Sequence, residues 1–330
     1  MPLPWQKKEK AVELIVSAVG FISVIILLLI GSFLFKEAFY VFYKAGVLKV
    51  IFGNAWYPTY DPPSFGMVPL IMGTLAVTIL TAVMAIPLGL ATAVYIAEIA
   101  HYRVKEFLKP LIEMLASFPS VVLGFFGMVV IAPILSNWLS PILSEKLPEL
   151  LRSTEIPFIS TSLADFFYNK LFISSGLNIS TAALMLTVRA IPVISSIAED
   201  ALTAVPRTYR EASYSLGASK WETIWKVVIP ASVSGLSIAI ILGIGTIIGE
   251  TMIVLMVSGG AAVVPLWIFD PARPMPAAIA AEMAEAPYQS LHYHALFGVG
   301  AILFIITFVL SLLSDYISKR YRAVRIGEKV

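Results

Sequence analysis

Two ionisable side chains stand in stretches that are otherwise lipid-soluble: Arg189 in "LTVRAIP" and Glu250 in "IIGETM". A charge near the bilayer centre costs at least about 2.5–3.5 kcal/mol, so such residues face a cavity or pair with one another. At 1.5 Å per helical residue, Arg189 lies roughly 15 Å and Glu250 roughly 9 Å from the outer edge. Two long side chains can bridge that difference. The pair therefore reads either as a charged lining or as an ion pair fastening two spans. His292 and His294, with one residue between them, have a metal-ligand spacing, but no neighbouring carboxylate or thiol set completes a site. They read as interfacial or packing residues. Glu282 and Glu285 in "AAEMAEA" either line an outer mouth, where they could meet another protein, or form a solvated helix face.

These residues are positioned by membrane helices. Hydrophobic residues make up 58% of the chain and charged residues 13%, which is too apolar for a soluble domain. Six runs are long enough to cross a bilayer core of roughly 30 Å. They lie near Ala11–Phe35, Val68–Ala97, Leu111–Leu135, Ile179–Ala198, Ala231–Val257 and Ala295–Tyr316. The first follows Lys7, Lys8 and Lys10, but it is too long for a signal peptide and no small-residue cleavage pattern follows, so it reads as a retained span. With the N-terminus inside, fifteen Lys and Arg fall in inner segments and seven in outer ones. That bias predicts both termini in the cytoplasm. The basic residues are spread along the inner face, which is a topology signal and not a nucleic-acid patch.

The chain divides at this stage into 1–67 (first span and outer segment), 68–320 (transmembrane domain, with an inner loop at 199–230) and a basic cytoplasmic tail at 321–330. The outer segment at 136–178 contains "LSEKLPELL" and "SLADFFYNKLF", which resemble short amphipathic helices. Pro87, Pro119 and Pro192 fall inside spans and predict kinks. Gly245 and Gly249 form a G-x-x-x-G pair that suits close helix packing. Ser120 follows the Pro119 kink, where its hydroxyl bonds either its own backbone or an anion. Absent cysteines exclude disulfides and thiolate metal sites.

The inner loop, "EDALTAVPRTYREASYSLGASKWETIWKVVIPAS", is polar and helix-forming. Pro206 suits a helix start and Gly217 a helix stop. Ser219 and Glu222 have capping-box spacing. Trp221, Ile224, Trp225 and Val228 recur every three to four residues, which predicts one apolar face. Two short helices joined by a glycine turn can lie along the membrane and fit a groove on another protein. The bland alternative is an interfacial helix that only anchors the loop.

Glu211, Ala212, Ser213, Gly217, Val227, Ile229 and Pro230 resemble the signature loop of binding-protein-dependent ABC importer permeases. That signature is Glu-Ala-Ala, three residues, Gly, nine residues, Ile-x-Leu-Pro. Two aliphatics are exchanged here, and Ser stands at the third position. The resemblance implies a coupling helix that docks on an ATP-hydrolysing partner, and no G-x-x-x-x-G-K-[ST] phosphate loop is present in this chain.

"FPSVVLGFFG", "GIGTIIGETMIVLMVSGG" and "SLHYHALF" further resemble the phosphate importer permease of the PstC type, over about residues 65–320. The resemblance implies an all-α, six-span type I ABC importer permease (MetI-like) fold in the cell membrane. It also implies a sister permease of the PstA type, a pair of PstB-type ATPase subunits carrying ATP and Mg, and an extracytoplasmic phosphate-binding protein of the PstS type. This chain itself would be neither an enzyme nor a cofactor protein. Arg189, Glu250, Thr246 and Ser120 become the expected substrate pathway, with Arg189 attracting the anion and Glu250 holding it or a neighbouring Arg. Members of the family commonly carry Arg four residues before the Glu, where this chain has Thr246. At i, i+4 on a helix, Thr246 would offer only a hydroxyl beside Glu250. Molybdate, tungstate or sulfate fits the same loop. A secondary transporter leaves the loop without a purpose, and an intramembrane enzyme lacks a completed constellation around His292 and His294.

Overall fold

A computed structural model describes residues 4–146, 149 and 175–326. Among them six helices are long and apolar enough to cross a membrane. Helix α1, Pro4–Ala45, runs ten residues past the expected end at Phe35. Ala38 and Val41 continue the apolar pattern and are fully buried, and the chain turns at Gly46, whose φ is +86°. Helix α2, Val47–Phe52, leads into a hairpin of β1, Trp56–Tyr57, and β2, Ser64–Phe65, with Trp56 opposite Phe65. Gly53 and Gly66 cross there so closely that a Cβ on either would meet the other's backbone within 2.7 Å.

The second span, α3, is Val68–Ile99 and closes on a π-turn at Tyr95–Ile99. The third span departs from expectation. Leu111–Ser117 belongs to a separate amphipathic helix, α4, Tyr102–Ser117, none of whose residues is buried. The chain breaks at Phe118 and Pro119, both extended, and the span proper is α5, Ser120–Lys146. Proline disfavours helical backbone in the residue before it, so Pro119 separates two helices instead of kinking one. Pro87 and Pro192 do lie inside helices. Of the outer segment at 136–178, only its two ends fall within the described residues. "SLADFFYNKLF" lies outside them, and of "LSEKLPELL" the residues 143–146 continue the third span and 149 is helical.

Helix α6, Ile179–Thr203, is capped by the Asn178 side chain, which accepts the Thr181 N–H at 3.0 Å. It is the central span: 61% of its apolar stretch is buried, against 44% for α3 and 6% for α1. Ile194 of α6 is fully buried between two glycines. A Cβ on Gly89 of α3 would come within 2.8 Å of its side chain, and one on Gly243 of the fifth span within 2.4 Å. Helices in lipid gain from backbone proximity and van der Waals contact, and Gly89 and Gly243 supply both. The G-x-x-x-G pair makes no close helix contact among the described residues. A Cβ on Gly245 would meet nothing among the described residues, and Gly249 follows the helix end.

After the short helix α7, Arg207–Ser215, the fifth span is α8, Lys220–Ile248, with a π-turn at Ile224–Val228. It is followed by α9, Met252–Val257, and α10, Met275–Glu282. Helix α11, Leu291–Ile326, contains the sixth span and continues into the expected tail. Three apolar clusters result: one around α3, α6 and α9, one joining α1, the hairpin, α10 and α11, and one at the α7 end of the bundle.

Gly89→Val overfills the Ile194 notch and is expected to cost about 1–3 kcal/mol. Ile194→Ala alone leaves a cavity worth about 2–5 kcal/mol. Thermal unfolding in detergent should show the double variant more stable than the sum of the two losses. Strict additivity would mean that the glycine notch does not grip Ile194.

Candidate functional site

Arg189 and Glu250 are brought together, and the contact has a definite form. Arg189 Nε lies 3.8 Å from Glu250 Oε2, with side chains 27% and 10% exposed. Arg189 Nη1 donates to the carbonyl of Ala116. That carbonyl belongs to the last turn of α4, where a helix leaves its acceptors unused. Nε is buried and has no hydrogen bond among the described residues. The guanidinium thus ties α6 to the end of α4 and faces the carboxylate without closing a hydrogen bond on it.

Glu250 does not sit on a continuous helix. Helix α8 ends at Ile248, and α9 starts at Met252. Glu250 Oε1 accepts the N–H groups of Met252 at 3.2 Å and Ile253 at 3.4 Å, so the carboxylate caps the second half of a broken span. This corrects the i, i+4 expectation for Thr246. Its hydroxyl instead donates to Leu242 O at 3.0 Å, back onto its own helix. Ser120 stands in the first turn of α5, and among the described residues its hydroxyl makes no hydrogen bond. Neither residue is hydrogen-bonded to Arg189 or Glu250.

The loop between spans four and five has the form its sequence predicts. Leu216 closes α7, and Gly217 takes φ +81°, a conformation that favours glycine. Ser219 caps α8 reciprocally with Glu222. Ser213 of the signature bonds Thr223 across the turn at 2.8 Å, both side chains being buried, which locks the two helices at a fixed angle. The apolar face divides in two. Ile224 and Val228 are fully buried, whereas Trp221 and Trp225 are 58% and 55% exposed, beside an 89% exposed Leu216. A rigid turn therefore presents apolar and aromatic side chains outward.

The described residues also form charge clusters that the sequence pattern did not single out. Glu199 of α6, 4% exposed, receives Lys105 and Lys109 of α4, each at 2.6 Å. Its carboxylate holds the Lys109 ammonium above the usual lysine range. Lys105 and Lys109 are i, i+4 neighbours on one face, which was the available signal. At the hairpin end, Glu282 accepts Trp56 Nε1 at 3.0 Å, Arg273 Nη1, and His292 Nε2 at 2.9 Å. Glu282 is therefore a part-buried hub joining the hairpin, the segment before α10 and the sixth span, and not a solvated face. Glu285 is exposed. His294 Nδ1 lies 3.1 Å from Glu37 Oε2 but lacks hydrogen-bond alignment. No group of three or more possible metal ligands occurs among the described residues.

A six-span helical bundle with a rigid two-helix loop between spans four and five is the architecture of a type I ABC importer permease. Residues 85–323 match the binding-protein-dependent transport system inner membrane component family, and the chain belongs to it. It is a multi-pass inner-membrane transport subunit, not an enzyme. The probable ABC transporter permease protein YqgH of Bacillus subtilis is 33% identical, with 96% of this chain and 92% of that protein aligned. The phosphate transport system permease protein PstC of Pasteurella multocida is also 33% identical, over 81% and 78% respectively. The fold is shared with the MetNI methionine ABC transporter in inward-facing conformations (20% identity, TM-score 0.51, 76% of this chain and 93% of that one). It is shared as well with a bacterial alginate ABC transporter (13% identity, TM-score 0.53, 96% and 97%).

Thr223→Val leaves the Ser213 hydroxyl buried without a partner, at a cost of about 1–3 kcal/mol. Denaturation of the purified permease should show Ser213→Ala with Thr223→Val closer to the parent than Thr223→Val alone. Equal stability of all three would mean that the hydroxyl pair does not hold the turn.

Proposed function

We propose that this chain is the permease subunit of an ATP-driven importer of inorganic phosphate. The observation that carries this reading is the match to phosphate permeases of the PstC type at about one-third identity over most of the chain. In this reading an extracytoplasmic binding protein delivers phosphate at the hairpin end. A pair of ATPase subunits, which carry ATP and Mg, engages the α7–α8 loop, and a sister permease of the PstA type completes the pathway. This chain binds no cofactor. Both termini and the loop lie in the cytoplasm, in keeping with the Lys and Arg bias.

The loop's exposed Leu216, Trp221 and Trp225 suit it to a groove on the ATPase. Two states of the bundle suffice, with ATP supplying the bias between them. Arg189 attracts the anion at the break in span five. Glu250, already fixed by two backbone N–H groups, keeps that guanidinium in place. Thr246 turns back onto its own helix, leaving Arg189 as the cation of the pathway. A smaller positive lining favours a second reading, in which molybdate, tungstate or sulfate is the cargo.

The test is ATPase stimulation of the reconstituted complex with its own binding protein, offering phosphate, sulfate, molybdate and tungstate in turn. Phosphate alone should stimulate. Stimulation by another anion moves the substrate and keeps the architecture, and stimulation by none removes the oxyanion reading. Arg189→Gln should lower uptake at least tenfold, with the complex still co-purifying. Loss of assembly instead would reduce Arg189 to a fastener of α4, α6 and α9.

A further inference from the structure

We propose that Arg210 and Glu98 are the positioning pair through which the α7–α8 loop moves spans two and four. This inference rests on the importer function proposed above. Arg210 lies on α7, one residue before the signature Glu211, and Glu98 lies in the π-turn that ends α3.

The guanidinium is used on every side. Nε donates to both Glu98 oxygens, at 3.2 and 3.3 Å, and Nη2 donates to Oε1. Nη2 also donates to Leu202 O at 3.0 Å, and Nη1 to Val205 O at 2.6 Å. One side chain thus joins α7 to the end of span two and to the last turn of span four. The fork geometry of arginine suits this role, whereas a lysine ammonium could not hold three acceptors in one plane.

Burial separates this pair from the others on the loop. Arg210 and Glu98 are 17% and 7% exposed, whereas Lys226 and Glu222, one turn apart on α8, are 75% and 47% exposed. Exposed pairs contribute little, but removing one member of a buried, hydrogen-bonded pair leaves an uncompensated charge. Packing alone directs α7 elsewhere: its most extensive contacts are with Lys220–Thr223 and Ile224–Val228, the start of span five. Without Arg210, displacement of the loop would still pass along the chain into spans four and five, but it would lose its grip on span two.

Helix α6, whose last turn Arg210 holds, carries separate ties of its own. At its end Glu199 clamps α6 to Lys105 and Lys109 of α4, and further along α6 Arg189 holds α4 again through Ala116 and faces Glu250. Arg210 therefore connects the loop to a braced pair of helices that reaches the break in span five.

Spatial intermediacy alone does not demonstrate coupling, so the test measures it directly. The chain has no cysteine, so Thr92→Cys on α3 carries its only thiol. Its labelling rate is read in the full reconstituted complex, with and without vanadate-trapped ATP, and this readout needs no transported solute. The rate should change on trapping in the parent, and the change should be lost in Glu98→Gln and in Arg210→Gln. Basal ATP hydrolysis should stay within about twofold of the parent, as expected for a pair that transmits closure and does not build the ATP site. The double variant should be no worse than the worse single one. Phosphate uptake should fall at least tenfold in each.

An unchanged labelling response in Glu98→Gln, losses that multiply in the double variant, or no response in the parent would each overturn the proposal. If Glu98→Gln does not assemble, Glu98→Asp keeps the charge and shortens the reach. It should assemble with a reduced response, and a full response would overturn the proposal. Failure of the function reading is separately visible, as a parent complex that responds to trapped nucleotide but is stimulated by none of the four oxyanions.

Discussion

Carboxylates and guanidinium groups cannot stay unpaired in hydrocarbon, and this constraint organises the molecule around α6. Its end carries Glu199, held by two lysines, and its middle carries Arg189, held by the end of α4 and facing Glu250. Between them Ile194 fills two glycine notches, on α3 and α8. The result is a central span braced by polar contacts at two levels and by close packing between them. Helix α4, with no buried residue of its own, keeps its place through these charges. It is a strut laid along the bundle and not part of the core.

Much of this was legible in the sequence, and the reasons are local. Six apolar runs, the capping box at Ser219 and the glycine stop at Gly217 are each set by a few neighbouring residues, and each is present. The resemblance in the loop region pointed to the family to which the chain belongs. What was illegible depends on tertiary contact. A smooth hydropathy run across Leu111–Leu135 hid the break at Phe118 and Pro119, because the last turns of α4, with Leu111, Ile112, Met114 and Leu115, are themselves apolar and lead straight into the span. The apolar stripe of the loop could not show which members would be covered, and Ile224 and Trp225, adjacent in sequence, took opposite fates.

The candidate site shows the same division. That Arg189 and Glu250 could meet followed from depth alone. That Glu250 caps α9, and that Thr246 faces away, needed knowledge of where α8 ends. Glu282 illustrates the limit most clearly: its partners Trp56, Arg273 and His292 come from three separate segments, and no spacing rule joins them. The charges on α4 and α7 had served only to orient the chain, although the folded bundle also uses them as ties.

Trp221 and Trp225 pack edge to face, with ring centroids 5.7 Å apart, beside a cavity of about 400 Å³ walled by Pro87, Leu90, Val94 and Leu236. The loop therefore has two anchorages of different hardness. One is a stiff set of hydrogen bonds to neighbouring helices, and the other a soft apolar seat against α3 and α8. Hydrogen bonds weaken steeply with misalignment, whereas ring contacts beside an open cavity can shift with little loss. The two helices of one short loop are thus held with different tolerance to displacement.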